Sequence, residues 1–167
     1  MSKKTVAKIA ILCSLPCTVF CTAWEFLPDA FSSLMWCMFV GYCTTYLFNG
    51  ADIKQWPKVV ANYMVGVLWA LAYWYFFVLL LSFGMRYTLA MFVDVEIITA
   101  LILFTHIGFL SKTCLNKVAI LFPAVFCIFE CGGDMSKYPY MILSILIGSF
   151  CAAISDPFTN LFFRKNK

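Results

Sequence analysis

Six long apolar runs, at about 5–24, 30–48, 59–81, 89–110, 115–129 and 140–158, occupy most of this 167-residue chain. Most approach the ~20 residues that a helix needs to cross the ~30 Å hydrocarbon core of a bilayer. Lipid offers no partner to backbone N–H and C=O groups, so each run is expected to be helical. The runs are continuous and do not alternate polar with apolar residues, which argues against a β-barrel. Composition agrees: 63% of residues are hydrophobic, 12% are charged, and the mean hydropathy is +0.91. A soluble domain carries about 25% charge. Disorder, a basic nucleic-acid binder and an ordinary soluble enzyme are excluded on that ground. The expected fold is all-α: a single polytopic membrane domain over 1–167 with six transmembrane helices.

The basic residues predict the topology. With the N-terminus in the cytoplasm, Lys3, Lys4, Lys8, Lys54, Lys58, Lys112, Lys117, Arg164, Lys165 and Lys167 fall inside, and only Arg86 and Lys137 fall outside. Ten against two is a strong positive-inside bias. Both termini are therefore expected to be cytoplasmic. The first run follows three lysines, as in a secretory leader, but no small-x-small cleavage site precedes a polar chain, so it reads as a retained span.

A shift of 82 residues lays the second half on the first without gaps. Gly50 falls on Gly132, Asp52 on Asp134, Trp56-Pro57 on Tyr138-Pro139, Gly66 on Gly148, and Ala70 on Ala152. Gly-x-Asp suits a tight turn, and Pro suits the first turn of the helix that follows. Gly66 to Ala70 and Gly148 to Ala152 are small-x-x-x-small pairs, which let helix backbones approach closely in lipid. The third and sixth spans are expected to cross near them. Three spans per half is an odd number, so the repeats, about 5–81 and 88–158, are expected to be inverted, as in many channels and transporters.

Two blocks carry a family likeness: Trp24 with Leu34 through Phe48, Gly50 and Asn62 to Ala70; and Phe122 through Phe129 with Gly132-Gly133-Asp134. Together they resemble a family of small bacterial inner-membrane proteins catalogued as domain of unknown function 1097. The resemblance spans about 24–154. It implies a bacterial inner membrane and carries no catalytic residues with it.

Ionisable residues within spans are the first functional candidates, because each costs ~2.5–3.5 kcal/mol at the bilayer centre on insertion scales. The fourth run holds Asp94, Glu96 and His106. Asp94 and Glu96 lie about 200° apart around a helix and cannot share a face. Asp94 is placed to pair with Arg86 near the outer interface, and Glu96, lying deeper, is the better pore or interface residue. The alternative is that both belong to an outer loop. His106 is either a proton relay or a neutral histidine bonded to a backbone carbonyl. Trp69 and Tyr73 lead an aromatic cluster that either walls a solute path or faces lipid. Asp52 and Asp134 stand at the mouths of the proposed path.

Cys13, Cys17 and Cys21 form one stripe on the first span, read as a packing face ahead of a Cu(I) path. No Walker A loop, G-x-S-x-G or H-E-x-x-H motif is present, so no enzyme, metal or cofactor is expected. The leading expectation is a small-solute channel or transporter, homo-oligomeric, whose partners are the bilayer and a small polar solute and not nucleic acid. The alternative is a non-transporting accessory or assembly subunit.

Overall fold

A computed structural model describes residues 3–49 and 52–163. Gly50, of the matched turn, and Arg164, Lys165 and Lys167, of the basic count, lie outside the described residues. All regular structure among them is helical: α1 (Lys3–Trp24), α2 (Asp29–Ser32), α3 (Met35–Asn49), a 3-10 turn (Ile53–Gln55), α4 (Trp56–Ser82), α5 (Tyr87–Leu103) continued by a π-helical turn (Phe104–Phe109), α6 (Val118–Glu130) and α7 (Tyr138–Phe163).

Among the described residues four helical stretches are long and apolar enough to cross a bilayer: Lys4–Trp24, Ile53–Ser82, Tyr87–Phe109 and Tyr138–Ser155. The expected second and fifth spans are shorter. The run at 30–48 is broken by a turn in which the Leu34 N–H donates to Phe31 O at 2.8 Å, leaving α3 with 15 residues. The start of the run at 115–129 is drawn into a loop, leaving α6 with 13 residues. At 1.5 Å per residue these helices are about 22 and 20 Å long, less than the bilayer core.

The turns before α4 and α7 are built alike. Asp52 Oδ1 accepts the Lys54 N–H at 3.0 Å, and Asp134 Oδ1 accepts the Ser136 N–H at 3.1 Å. The carbonyl of each Asp then accepts the N–H three residues on, both at 3.0 Å. Both helices open with an aromatic-Pro pair. At the far end of α4, Gly84 (φ 80°) takes the left-handed conformation that glycine adopts freely. Gly84 N–H bonds Leu81 O at 2.9 Å and Met85 N–H bonds Leu80 O at 3.3 Å, a Schellman cap that satisfies the last carbonyls.

The chain groups into two compact units, Met1–Val60 with Pro139–Lys167, and Ala61–Tyr138. The first therefore gathers α1, α3 and α7; the second gathers α4, α5 and α6. This grouping cuts across the expected halves, because each half's third helix sits with the other half's first two.

In the first unit, α3 and α7 meet backbone to backbone. A Cβ on Gly148 would run into the Met38 carbonyl, and one on Gly41 into that of Ile145. Thr45 Oγ1 donates to Ser149 Oγ at 3.0 Å, and Trp56 Nε1 donates to the same oxygen at 3.1 Å. Trp24 Nε1 holds the turn after α1 by donating to Phe31 O at 2.7 Å. In the second unit Gly66 lies against α6, where a Cβ would strike Leu121 O and stand 2.9 Å from the Ala124 Cβ. The glycines thus face α3 and α6, the shorter helices of their own units. Ala70 and Ala152, one turn on from each, are buried.

Candidate functional site

The polar centre of the second unit is built on one stripe of α5. Ala90, Asp94, Ile98 and Ile102 are buried at four-residue spacing, and His106 follows in the π-helical turn. Asp94 is fully buried, and neither carboxyl oxygen has a hydrogen-bond partner. It is the eighth residue of the Tyr87–Phe109 stretch, about 10 Å from the start of the helix. The expected pair with Arg86 does not form. Arg86 is the exposed N-cap of α5, about two turns back along the helix. Glu96, expected to be the inward residue, lies on the exposed face. The 200° separation of the two acids holds, with the burial reversed.

His106 is buried and has both ring nitrogens engaged. Trp69 Nε1 donates to His106 Nε2 at 2.9 Å, so the ring proton is on Nδ1, which bonds Leu115 O at 2.6 Å. A second proton on Nε2 would point at the Trp69 N–H. These bonds tie the 110–117 loop to the helices through His106, and the π-helical turn, with the Leu110 N–H on Thr105 O at 2.8 Å, sets its register. Asn62, buried on α4, clamps the same loop from the other side. Its Nδ2 donates to Cys114 O at 2.7 Å, and its Oδ1 accepts the Lys117 N–H at 3.2 Å. Replacing His106 with Phe keeps a ring but orphans the Trp69 N–H and the Leu115 carbonyl. Each orphan costs about 1–3 kcal/mol, so a clear fall in the thermal midpoint of the detergent-solubilised protein is expected, and an unchanged midpoint would refute this clamp.

The adjoining face of α5, which carries Val95 and Thr99 and not Asp94, borders a groove of about 300 Å³. Tyr73 of α4, Val95 and Thr99 of α5, and Phe122, Val125, Phe126 and Phe129 of α6 line it. Its two hydroxyls are spent on each other, Tyr73 Oη to Thr99 Oγ1 at 2.6 Å. Asp94 is near enough to act electrostatically on the Tyr73 hydroxyl. Tyr73 also meets Phe129 edge to face, with ring centroids 6.3 Å apart. The structure therefore brings Asp94 and Tyr73 to one place and Trp69 and His106 to another, one to three helical turns along.

Asp52 and Asp134 are exposed turn formers that bond their own backbone. The Ser136 hydroxyl, 2.5 Å from Asp134 Oδ1, is the main cause holding this carboxyl below its ordinary range, with the Ser136 N–H and Lys137 Nζ at 3.6 Å adding to it. A carboxyl lowered by folding contributes stability at neutral pH and loses it as pH falls through the lowered value. Cys17 and Cys21 approach to 3.9 Å on α1; the Cys13 side chain lies outside the described residues.

Asn62 and Thr99 were not singled out from sequence as site residues. The available signal was a polar side chain within an apolar run, the same one that marks Asp94. Comparison with family models, with curated proteins and with solved structures finds no match to this chain.

Proposed function

We propose that this chain is a channel or transporter for a small solute in a bacterial inner membrane, and that Asp94 is its central solute-handling residue. The carrying observation is a fully buried carboxyl with no partner, set in a helix long enough to cross a bilayer. An unpaired acid in such a helix is costly and is kept where it serves a ligand or ion. Tyr73, Thr99 and the groove beside them give that ligand a place to enter.

The proposed architecture is a 3+3 inverted repeat with six crossings, both termini cytoplasmic, assembled as a homo-oligomer. The like-built turns at Asp52 and Asp134 support it. So does the matching make-up of the two units, each with a first, a second and a third helix under the 82-residue shift. The resemblance to domain of unknown function 1097 is in keeping with this size and membrane. Six crossings put Lys112 in the cytoplasm, whereas crossing by the four long helices alone, from a cytoplasmic N-terminus, puts it outside. A reporter inserted at Lys112 is expected to be active only as a cytoplasmic fusion; activity only on the outer side would overturn six crossings and the inverted repeat together.

Transport itself is tested in proteoliposomes against small neutral, anionic and cationic solutes. Flux above that of empty liposomes for at least one class is expected. Background flux for every class would favour the second reading, a non-transporting accessory. That reading draws on Glu96, whose exposed position on a membrane-length helix suits a partner helix or a second copy as well as a polar lipid surface.

A further inference from the structure

We propose that the exposed side of α5 docks a transmembrane helix of another protein that carries a basic side chain near its middle, and that Glu96 receives that charge. This docking rests on α5 crossing a bilayer. It holds under either reading above, because it does not involve the solute path.

Glu96 is the tenth residue of the 23 in the Tyr87–Phe109 stretch. At 1.5 Å per residue it stands about 13 Å from the start of that stretch and about 20 Å from its end. Both distances put it inside the hydrocarbon core. It is exposed, and among the described residues none bonds or pairs with it. A carboxyl so placed costs free energy whether charged or neutral, since lipid tails offer it no hydrogen-bond partner. Asp94 is sealed by the fold, whereas Glu96 is open to whatever comes alongside.

The side chains around Glu96 describe that neighbour. Leu89, Phe92, Ala100 and Leu103 are exposed with it, at steps of three and four residues, the spacing of a seam that receives a second helix. Ala100, one turn on, leaves room for a neighbouring backbone to approach. Phe92, one turn before, is 68% exposed. Residues four apart are neighbours on a helix surface, so the Phe92 ring and the Glu96 carboxyl share one patch. Both attract a cation, the carboxylate by its charge and the ring by its electrons. An ammonium or guanidinium there is a donor and a countercharge at once.

A second copy of this chain does not fit. It would set Glu96 against Glu96 and bring no countercharge. The lysines of its long stretches, Lys4, Lys8, Lys54 and Lys58, fall within the first six residues of them. Tyr87–Phe109, Tyr138–Ser155 and the shorter apolar helices contain neither Lys nor Arg. His106 has both ring nitrogens engaged. The countercharge at this depth therefore comes from a different protein.

The test uses the full-length protein in zwitterionic lipid vesicles, with energy transfer to labelled leucine-alanine transmembrane peptides that differ in one central residue: Lys, Leu or Glu. The Lys peptide is expected to associate about ten-fold more strongly than the Leu peptide, and the Glu peptide no more strongly than the Leu peptide. In Glu96→Leu, a change at an exposed position that leaves the core untouched, the preference for Lys should fall to near one. Equal association of the Lys and Leu peptides with the unaltered protein overturns the proposal, as does a preference that survives Glu96→Leu. Energy transfer between two labelled copies of the protein that exceeds transfer to the Lys peptide, and is lost in Glu96→Leu, would give this face to a second copy and overturn it too. Flux is read separately in the same vesicles. A Lys preference without flux would remove the transport reading and leave this partner standing; flux without a Lys preference would do the reverse.

Discussion

Gly148→Leu is expected to abolish the detergent-stable fold. A Cβ alone at this position meets the Met38 carbonyl and stands 2.7 Å from its carbon, and both belong to helix backbone, which cannot rotate aside as a side chain does. Overpacking in a tight core costs ~1–3 kcal/mol when side chains can adjust. Here α3 and α7 must separate along their length, losing the Gly41–Ile145 approach and the Thr45–Ser149 bond as well. Gly66→Leu is expected to act the same way on α4 and α6. Gly108→Ala is the control, because nothing lies within 4 Å of a Cβ there. The monodisperse fraction on size exclusion reads the result. Full recovery of both leucine variants would refute the close-approach role of these glycines.

Asp94→Leu is expected to raise thermal stability while reducing flux to background. An unpaired buried polar group costs about 1–3 kcal/mol, and a leucine of similar reach removes that cost and joins the Ala90–Ile98–Ile102 stripe. Stability and function then move in opposite directions, which loss of folding cannot imitate. A lowered thermal midpoint would mean that Asp94 has a structural partner, and flux equal to that of the unaltered protein would remove it from the solute path.

The two Asp turns were legible because their bonds close over two and three residues. Gly-x-Asp before an aromatic-Pro pair states the whole device locally, and the backbone at Asp52 and Asp134 follows it. The helices were legible for a similar reason, since an apolar run must satisfy its own backbone. Their lengths were less so. The polar contacts of Asn62 and His106 draw 110–117 into a clamped loop, and no periodicity announces a bond from Asn62 to Lys117.

What the amino-acid order determined by itself was that Asp94 and Glu96 occupy opposite faces, that glycines 66 and 148 permit a close neighbour, and that an aromatic cluster accompanies them. Tertiary structure decided which face is inside and which neighbour arrives. In water a helix declares its buried side by polarity, but α5 is apolar nearly all round, as lipid and protein interior demand alike. One turn of sequence cannot tell them apart. Packing against α4 and α6 turned Asp94 inward and Glu96 outward. The same holds for the glycines: the bare backbone at Gly66 and Gly148 accepts any helix that fits, and α6 and α3 are the ones that come.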